Sequence, residues 1–229
     1  MAHRLARGLR GAVKNLVFQQ QIKPSNHFLK SPIRNYMSEM RKSAFEGNML
    51  RLIRSEIQYE LDHSPPSEPI PEFNTFKVDE LPGQQWIRLT KKFRQSEDIK
   101  IEVTMFDGAF PMKQDDDTPE NMKPHITFIV DVFKGEGTDI LEFICSAWPD
   151  SIEIRNVFTR GHNRISDYHY MGPGFKELDD ELQTSLYDYL ETRGVDDKLA
   201  EFLHRYMINK DKNEYLRWME KLKSFIEKK

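Results

Sequence analysis

Apolar and polar residues alternate with a period of two from Phe73 to about Tyr170, a pattern typical of β-strands with one buried and one solvated face. In the clearest strand, the buried face is expected to carry Ile99, Ile101, Val103 and Met105. No helix-sized segment separates the strands, so consecutive strands are predicted to pair antiparallel as hairpins. The alternation predicts seven strands: Phe73–Glu80, Gln85–Arg94, Ile99–Phe106, His125–Phe133, Ile140–Trp148, Ser151–Phe158 and a short one near Ile165–Tyr170.

Helical periodicity flanks the strands on both sides. It predicts one helix over about Ser38–Asp62 before them. After them it predicts a helix over Phe175–Arg193, closed by Gly194 as a left-handed cap. A last helix is predicted over about Asp196–Lys228, with the polar patch 209–213 as a candidate interruption. The predicted fold class is α+β, an antiparallel sheet flanked by one N-terminal and two C-terminal helices.

The first 36 residues differ from the remainder in charge. They contain seven basic residues and no acidic one. Because the formal net charge of the whole chain is −3, residues 37–229 carry a charge of −10. Leu5, Leu9 and Val13 recur at helical spacing with basic residues on the other side, which is typical of a mitochondrial presequence. The alternative is a disordered basic tail that binds nucleic acid or anionic lipid. We predict a presequence over residues 1–36, cleaved after Tyr36, and a single mitochondrial matrix domain over residues 37–229.

Two acidic segments are candidate partner-binding surfaces. The loop 107–124, predicted as a mobile excursion from the sheet, contains Asp115, Asp116, Asp117 and Glu120. The segment 177–201 contains nine acidic residues against two basic ones and includes Asp179, Asp180 and Glu181. Flexible carboxylates can steer and hold Lys- and Arg-rich proteins. The alternatives are a solvated acidic surface or, for the loop, a hard-cation site, although the loop lacks the ligand spacing of a calcium-binding loop.

The sequence contains no pattern that indicates catalysis, a cofactor or a metal centre. The single cysteine, Cys145, is expected to be a small core residue within a strand. His162 and His169 form only a weak metal-ligand pair. No apolar run reaches the length of a membrane span. We therefore expect a protein that is not an enzyme and has no cofactor, metal site or membrane span.

A nucleic-acid-binding protein of the matrix is the alternative function. Its candidate contacts are either the basic C-terminal turns or four basic residues of the sheet: Lys91, Lys92, Arg94 and Lys100. A charge of −10 over residues 37–229 argues against strong, phosphate-dominated affinity.

Several sequence motifs resemble those of a known protein family. They are Tyr168–Phe175 (YHYMGPGF), Leu178–Leu182 (LDDEL), Arg193–Asp196 (RGVD), Glu214-Tyr215 and Leu222–Phe225 (LKSF). With the order of helices and strands, they make the chain resemble the mitochondrial acidic matrix protein family. Plant members of that family are called mitochondrial glycoproteins, and one animal member is also known as a complement-head-binding protein.

The resemblance implies a seven-stranded twisted antiparallel sheet in a ring-shaped homotrimer, with the first and last helices packed as a pair. It also implies binding without catalysis, often to basic matrix proteins, including mitochondrial ribosome components. The expected role is chaperone-like support of mitochondrial translation, ribosome biogenesis and oxidative phosphorylation. Trp218 and Phe225 are predicted to be core or interface anchors. The full set predicted for helix and subunit packing is Phe45, Met49, Ile53, Tyr215, Trp218, Leu222 and Phe225.

Overall fold

The structure, a computed structural model, describes residues 32–68, 70–111, 122–135, 137, 139–161 and 170–228. The chain divides into two units, residues 1–47 and residues 48–229. The described part of the first unit is the beginning of helix α1, which spans Pro32–His63. Residues 36–45 of this helix are all exposed. Helix α1 begins before the predicted Ser38 and continues through Tyr36, the predicted cleavage point.

The strands of the second unit pair antiparallel, as the alternation predicts. Seven of them follow one another across the sheet: β1 (Glu72–Phe73), β2 (Phe76–Glu80), β3 (Trp86–Phe93), β4 (Glu97–Thr104), β6 (Met122–Phe133), β7 (Ile140–Trp148) and β8 (Ser151–Arg160). The predicted first strand is divided by a turn at Asn74, whose φ is +50°. The strand predicted near Ile165–Tyr170 lies outside the described residues, apart from Tyr170, which is in no strand.

The predicted boundaries of the acidic loop, residues 107–124, are wrong at both ends. An additional strand, β5 (Gly108–Pro111), pairs with β6 from Gly108 opposite His125 to Pro111 opposite Met122. Gly108 has a φ of +118°, which other residues rarely adopt, and it allows the chain to turn into β5. Residues 112–121, which contain all four acidic candidates of this loop, lie outside the described residues.

The C-terminal helices cover one face of the sheet, here called the helix face. The predicted buried residues of β4 lie on it: Ile99, Ile101 and Val103 are at most 1% exposed. Met105 is half-buried. The ring of Phe73 stacks on that of Phe202 from the last helix, with centroids 4.3 Å apart. Burial of each such side chain contributes about 1.5–3 kcal/mol, so the core on this face is a major source of stability.

The helix predicted over Phe175–Arg193 begins later than expected. Phe175–Glu177 forms a 3-10 turn, Leu178 is extended, and helix α2 spans Asp180–Glu191. The start is fixed by Asp179, whose carboxylate accepts a hydrogen bond from the backbone N–H of Glu181 at 3.0 Å. The predicted left-handed cap at Gly194 is confirmed by a φ of +83°.

Helix α3 spans Asp197–Glu227 without the interruption considered for the patch 209–213. The side chain of Asn209 accepts a hydrogen bond from Ser67 N–H at 2.7 Å and donates one to Ser67 C=O at 2.9 Å. Lys210 is only 2% exposed and lies 3.3 Å from both Glu80 and Glu214 carboxylate oxygens. The polar residues of the patch therefore stabilise tertiary contacts and leave the helix intact.

Part of the edge of β8 is closed by side chains of the two C-terminal helices. The backbone N–H of Ile152 donates to Asp197 Oδ1 at 3.1 Å. The N–H of Ile154 donates to the Tyr187 hydroxyl at 3.2 Å. These contacts occupy donors through which an edge strand could pair with another chain.

Candidate partner-binding surfaces

Helix α2 presents a solvent face on which every charged residue is acidic. With about 100° between successive residues, Asp180 and Glu191 fall on one side of Thr184, and Glu181 and Asp188 fall on the other. All five side chains are exposed. The helix contains no lysine or arginine, and no salt bridge joins these four carboxylates to any described residue. We call these four residues the α2 acidic face.

Three other acidic residues of this region form structural hydrogen bonds. Asp179, one of the predicted partner-binding residues, caps α2. Asp196 caps α3 by accepting from Leu199 N–H at 3.0 Å, and Asp197 accepts from β8. Of the predicted binding residues that the structure describes, Asp180 and Glu181 are thus the two on the acidic face.

Asp188 and Glu191 lie towards the C-terminal end of α2, where the helix dipole is negative. The last turn contains no basic residue of its own. Carboxylates at this end are unfavourable for helix stability, because the unsatisfied carbonyl groups already carry partial negative charge. These two residues therefore need an explanation other than stabilisation of α2.

Two side-chain contacts join helix α1, from residue 48 onward, to the distal half of α3. Arg54 NH2 lies 2.7 Å from Glu227 Oε1. The Tyr215 hydroxyl lies 3.4 Å from Glu56 Oε1. These two contacts are in the direction of the expected pairing, and packing of the first and last helices along their length stays a prediction.

The seven residues predicted for helix and subunit packing differ in exposure. Met49, Ile53 and Leu222 are half-buried. The core alternative is wrong for Trp218 and Phe225, and the prediction that they contact another subunit stays a prediction. The four aromatic residues are exposed: Phe45 by 64%, Tyr215 by 38%, Trp218 by 56% and Phe225 by 77%.

The four basic residues considered for nucleic-acid binding do not form one cluster, because strand alternation separates neighbours. Lys91 is on the helix face, where its Nζ donates to the backbone carbonyl of Arg193 at 3.0 Å and burial lowers its pKa. Lys92 and Lys100 are on the opposite face of the sheet, here called the open face. Arg94 is in the β3–β4 turn, with a φ of +55°.

The open face carries a feature that sequence reasoning missed, a row of paired charges across β3 to β8. Arg88 NH2 lies 2.7 Å from Glu102, and Lys100 Nζ lies 2.8 Å from Asp131. Arg160 joins Asp131, at 3.0 Å, to Glu142. Burial alone would raise the pKa of Glu102, but the hydrogen bond from Arg88 and the charge of Lys100 hold it below its usual range. In the sequence, the alternation of Lys100 and Glu102 along one strand indicated this row of paired charges.

The remaining residues considered for catalysis or metal binding are either buried in the core or lie outside the described residues. Cys145 is fully buried in β7, and burial raises the pKa of its thiol, as befits a small core residue. His162 and His169 lie outside the described residues. Within the described ranges, no group of three His, Cys, Asp or Glu side chains is arranged to hold a metal ion. No described helix combines the length and apolar character needed to cross a membrane.

Comparison with known proteins gives one consistent picture. Residues 53–226 match the mitochondrial glycoprotein (MAM33) family. An uncharacterized mitochondrial protein of Arabidopsis thaliana is 32% identical over 202 residues, which cover 84% of this chain and 80% of that protein. The mitochondrial acidic protein mam33 of Schizosaccharomyces pombe is 26% identical over 234 residues, which cover 86% of each.

Two solved structures share the fold. The Trypanosoma brucei p22 protein superimposes with a TM-score of 0.66 at 22% identity, covering 80% of this chain and 99% of that one. A hypothetical Leishmania major protein, described as a sequence homologue of human p32, gives 0.63 at 23% identity, covering 79% and 98%. The predicted sheet and its three flanking helices are thereby confirmed.

Proposed function

Because the chain belongs to the mitochondrial glycoprotein (MAM33) family, we propose that it is a non-enzymatic acidic binding protein of the mitochondrial matrix. It holds Lys- and Arg-rich proteins, including ribosomal components, on the α2 acidic face. In this way it gives chaperone-like support to mitochondrial translation, ribosome biogenesis and oxidative phosphorylation. The observation that supports this proposal is that the four carboxylates of the α2 acidic face have no cationic partner among the described residues.

Unpaired carboxylates bind cations weakly one at a time. An exposed ion pair contributes about 0.2–1 kcal/mol, so four of them supply at most about 4 kcal/mol, or less than about a thousandfold in affinity. Such binding is rapid, reversible and sensitive to salt. These properties suit a protein that holds basic partners temporarily.

A homotrimer would multiply this weak affinity, because three copies of the face can hold one extended partner together. The exposed aromatic residues of α3 support self-association. Trp218 and Phe225, seven residues apart on α3, are more than half exposed, and large apolar side chains in water are typical of an interface. Light scattering of the full chain should give three times the monomer mass. Trp218→Ala with Phe225→Ala should lower that mass, and a wild-type monomer at micromolar concentration would remove the trimer.

The binding proposal is tested with a fluorescently labelled Lys/Arg-rich peptide and two variants of equal charge. One neutralises the acidic face with Glu181→Gln, Asp188→Asn and Glu191→Gln. The matched control neutralises three other exposed acidic residues, with Glu39→Gln, Glu68→Gln and Glu72→Gln. We expect affinity at low salt to fall about tenfold or more for the first variant and little for the control.

Equal losses in the two variants would show that the peptide responds only to net charge, which would contradict a defined acidic face. Binding that does not weaken between low and high salt would also contradict the proposal. Thermal unfolding of both variants checks that the fold is retained.

A further inference from the structure

The open face of the sheet contains a depression of about 500 Å³ between β3, β4 and β6. The depression is shallow and open to solvent, so a ligand would lie along the sheet with one side in water. Strand pairing places its residues in rows. Lys92, Asp98 and Phe133 are opposite one another in one row, and Thr90 is opposite Lys100 in the next. The side chains that matter here are Arg88, Thr90, Lys92, Asp98, Lys100 and Phe133.

Two of the cations are held in fixed positions. Arg88 donates through Nε and NH2 to the same oxygen of Glu102, at 3.2 and 2.7 Å, which leaves its second terminal nitrogen free of that contact. Lys100 Nζ lies between Asp131 at 2.8 Å and Glu102 at 3.6 Å. Because their partners already order these side chains, a ligand that contacts them loses little further side-chain entropy.

Lys92 differs from the other two cations. Its side chain is exposed, and no carboxylate of a described residue forms a salt bridge with it. It is therefore available for a phosphate oxygen, together with the hydroxyl of Thr90. Phe133 lies in the same row, and its ring is 5.9 Å from Lys100 Nζ. A half-buried aromatic ring beside cations suits a flat, aromatic base that carries phosphate.

We propose that this depression binds a nucleotide, with its phosphate at Lys92, Thr90 and Arg88 and its base against Phe133. Asp98 faces Lys92 across the β3–β4 pair and repels an anion, so the wild-type affinity is low. The same chemistry occurs in a free mononucleotide and in single-stranded RNA. This site is on the opposite face of the sheet from the helices and does not depend on the α2 acidic face.

The test uses the full chain with AMP, inorganic phosphate and a fluorescein-labelled twelve-nucleotide RNA as separate probes. Lys92→Gln should weaken AMP binding about tenfold, the loss expected for one charged hydrogen bond. The matched control Lys198→Gln removes another exposed lysine with no salt bridge and should leave binding unchanged. Asp98→Asn should tighten it severalfold, and Phe133→Leu should weaken AMP binding but not phosphate binding.

The three probes distinguish the sources. Tighter binding of the RNA than of AMP, with a salt dependence reduced by about one unit in Lys92→Gln, identifies a strand. Binding of AMP that is as tight as binding of the RNA identifies a free nucleotide. Equal effects of Lys92→Gln and Lys198→Gln would overturn the proposal, as would phosphate binding as strong as AMP binding, or no binding of any probe at millimolar concentration.

Discussion

Arg193 joins the corner between α2 and α3 to the β3–β4 hairpin, and its truncation should be strongly destabilising. The residue is 8% exposed. Its Nε and NH2 donate to Glu97 Oε2 at 3.0 and 2.7 Å, and NH1 donates to the backbone carbonyl of Tyr189 at 2.8 Å. The guanidinium carbon also lies 3.4 Å from the centroid of the Tyr189 ring and 4.8 Å from that of Phe93.

The size of the expected stability loss follows from the charge that Arg193→Ala leaves without its partner. The Glu97 side chain is only 13% exposed, so its carboxylate becomes a poorly solvated charge without its main partner. Removing one partner of such a pair costs about 3–5 kcal/mol, a large part of the roughly 5–15 kcal/mol that stabilises a typical domain. Arg193→Lys keeps the charge but loses the two-pronged bond and the stacking, so we expect a smaller loss of about 1–3 kcal/mol.

Urea denaturation followed by circular dichroism measures these losses, with Glu97→Gln and the double variant completing a mutant cycle. Replacing both residues, by Arg193→Met with Glu97→Leu, should recover most of the stability lost in Arg193→Ala, because no charge is then left unpaired. If Arg193→Ala loses less than about 1 kcal/mol, the site hydrates or relaxes on truncation and the reasoning is refuted.

Two further predictions concern stability. Gly194→Ala should lose about 1–3 kcal/mol in thermal denaturation, because φ is +83° and an added Cβ lies 3.2 Å from Lys91 Nζ and 3.3 Å from the Phe76 ring. Gly47→Ala, within α1 and with no neighbour inside 4 Å, should be neutral or stabilising, and equal losses at both glycines would contradict this. Asp188→Asn with Glu191→Gln should raise the free energy of unfolding by about 0.3–1 kcal/mol per residue, since it removes charge from the negative end of α2. A loss of stability would show an unrecognised structural role for these carboxylates.

The strands were predictable because burial on one face imposes its period on the sequence, as with Ile99, Ile101 and Val103. Helix α3 was predictable in extent for the same reason. The predicted start of α2 was five residues too early, because the apolar periodicity extends back through Leu178 to Phe175. In the structure, the capping hydrogen bond of Asp179 fixes the helix start at Asp180. Strand β5 was missed since it has only four residues and depends on the turn at Gly108.

The candidate sites were less predictable, because they depend on pairings between distant residues. Asp180 and Glu181 stand out in the sequence by charge alone, but the structural role of Asp197 requires knowledge of β8. The contact between Asp131 and Arg160 depends on the register of β7 and β8, which a bulge between Ile144 and Cys145 shifts. Lys91 and Lys92 are adjacent in sequence, yet they serve opposite faces of the sheet.

The binding role of the α2 acidic face is tested most directly by a fluorescent label at its centre. Cys145 is buried, so Thr184→Cys provides a single reactive thiol between the four carboxylates, and Gln95→Cys provides a matched site in the exposed β3–β4 turn. Addition of a Lys/Arg-rich peptide at low salt should change the emission of the label at residue 184 and leave that at residue 95 nearly unchanged. A response confined to residue 95, or equal at both positions, would contradict the account.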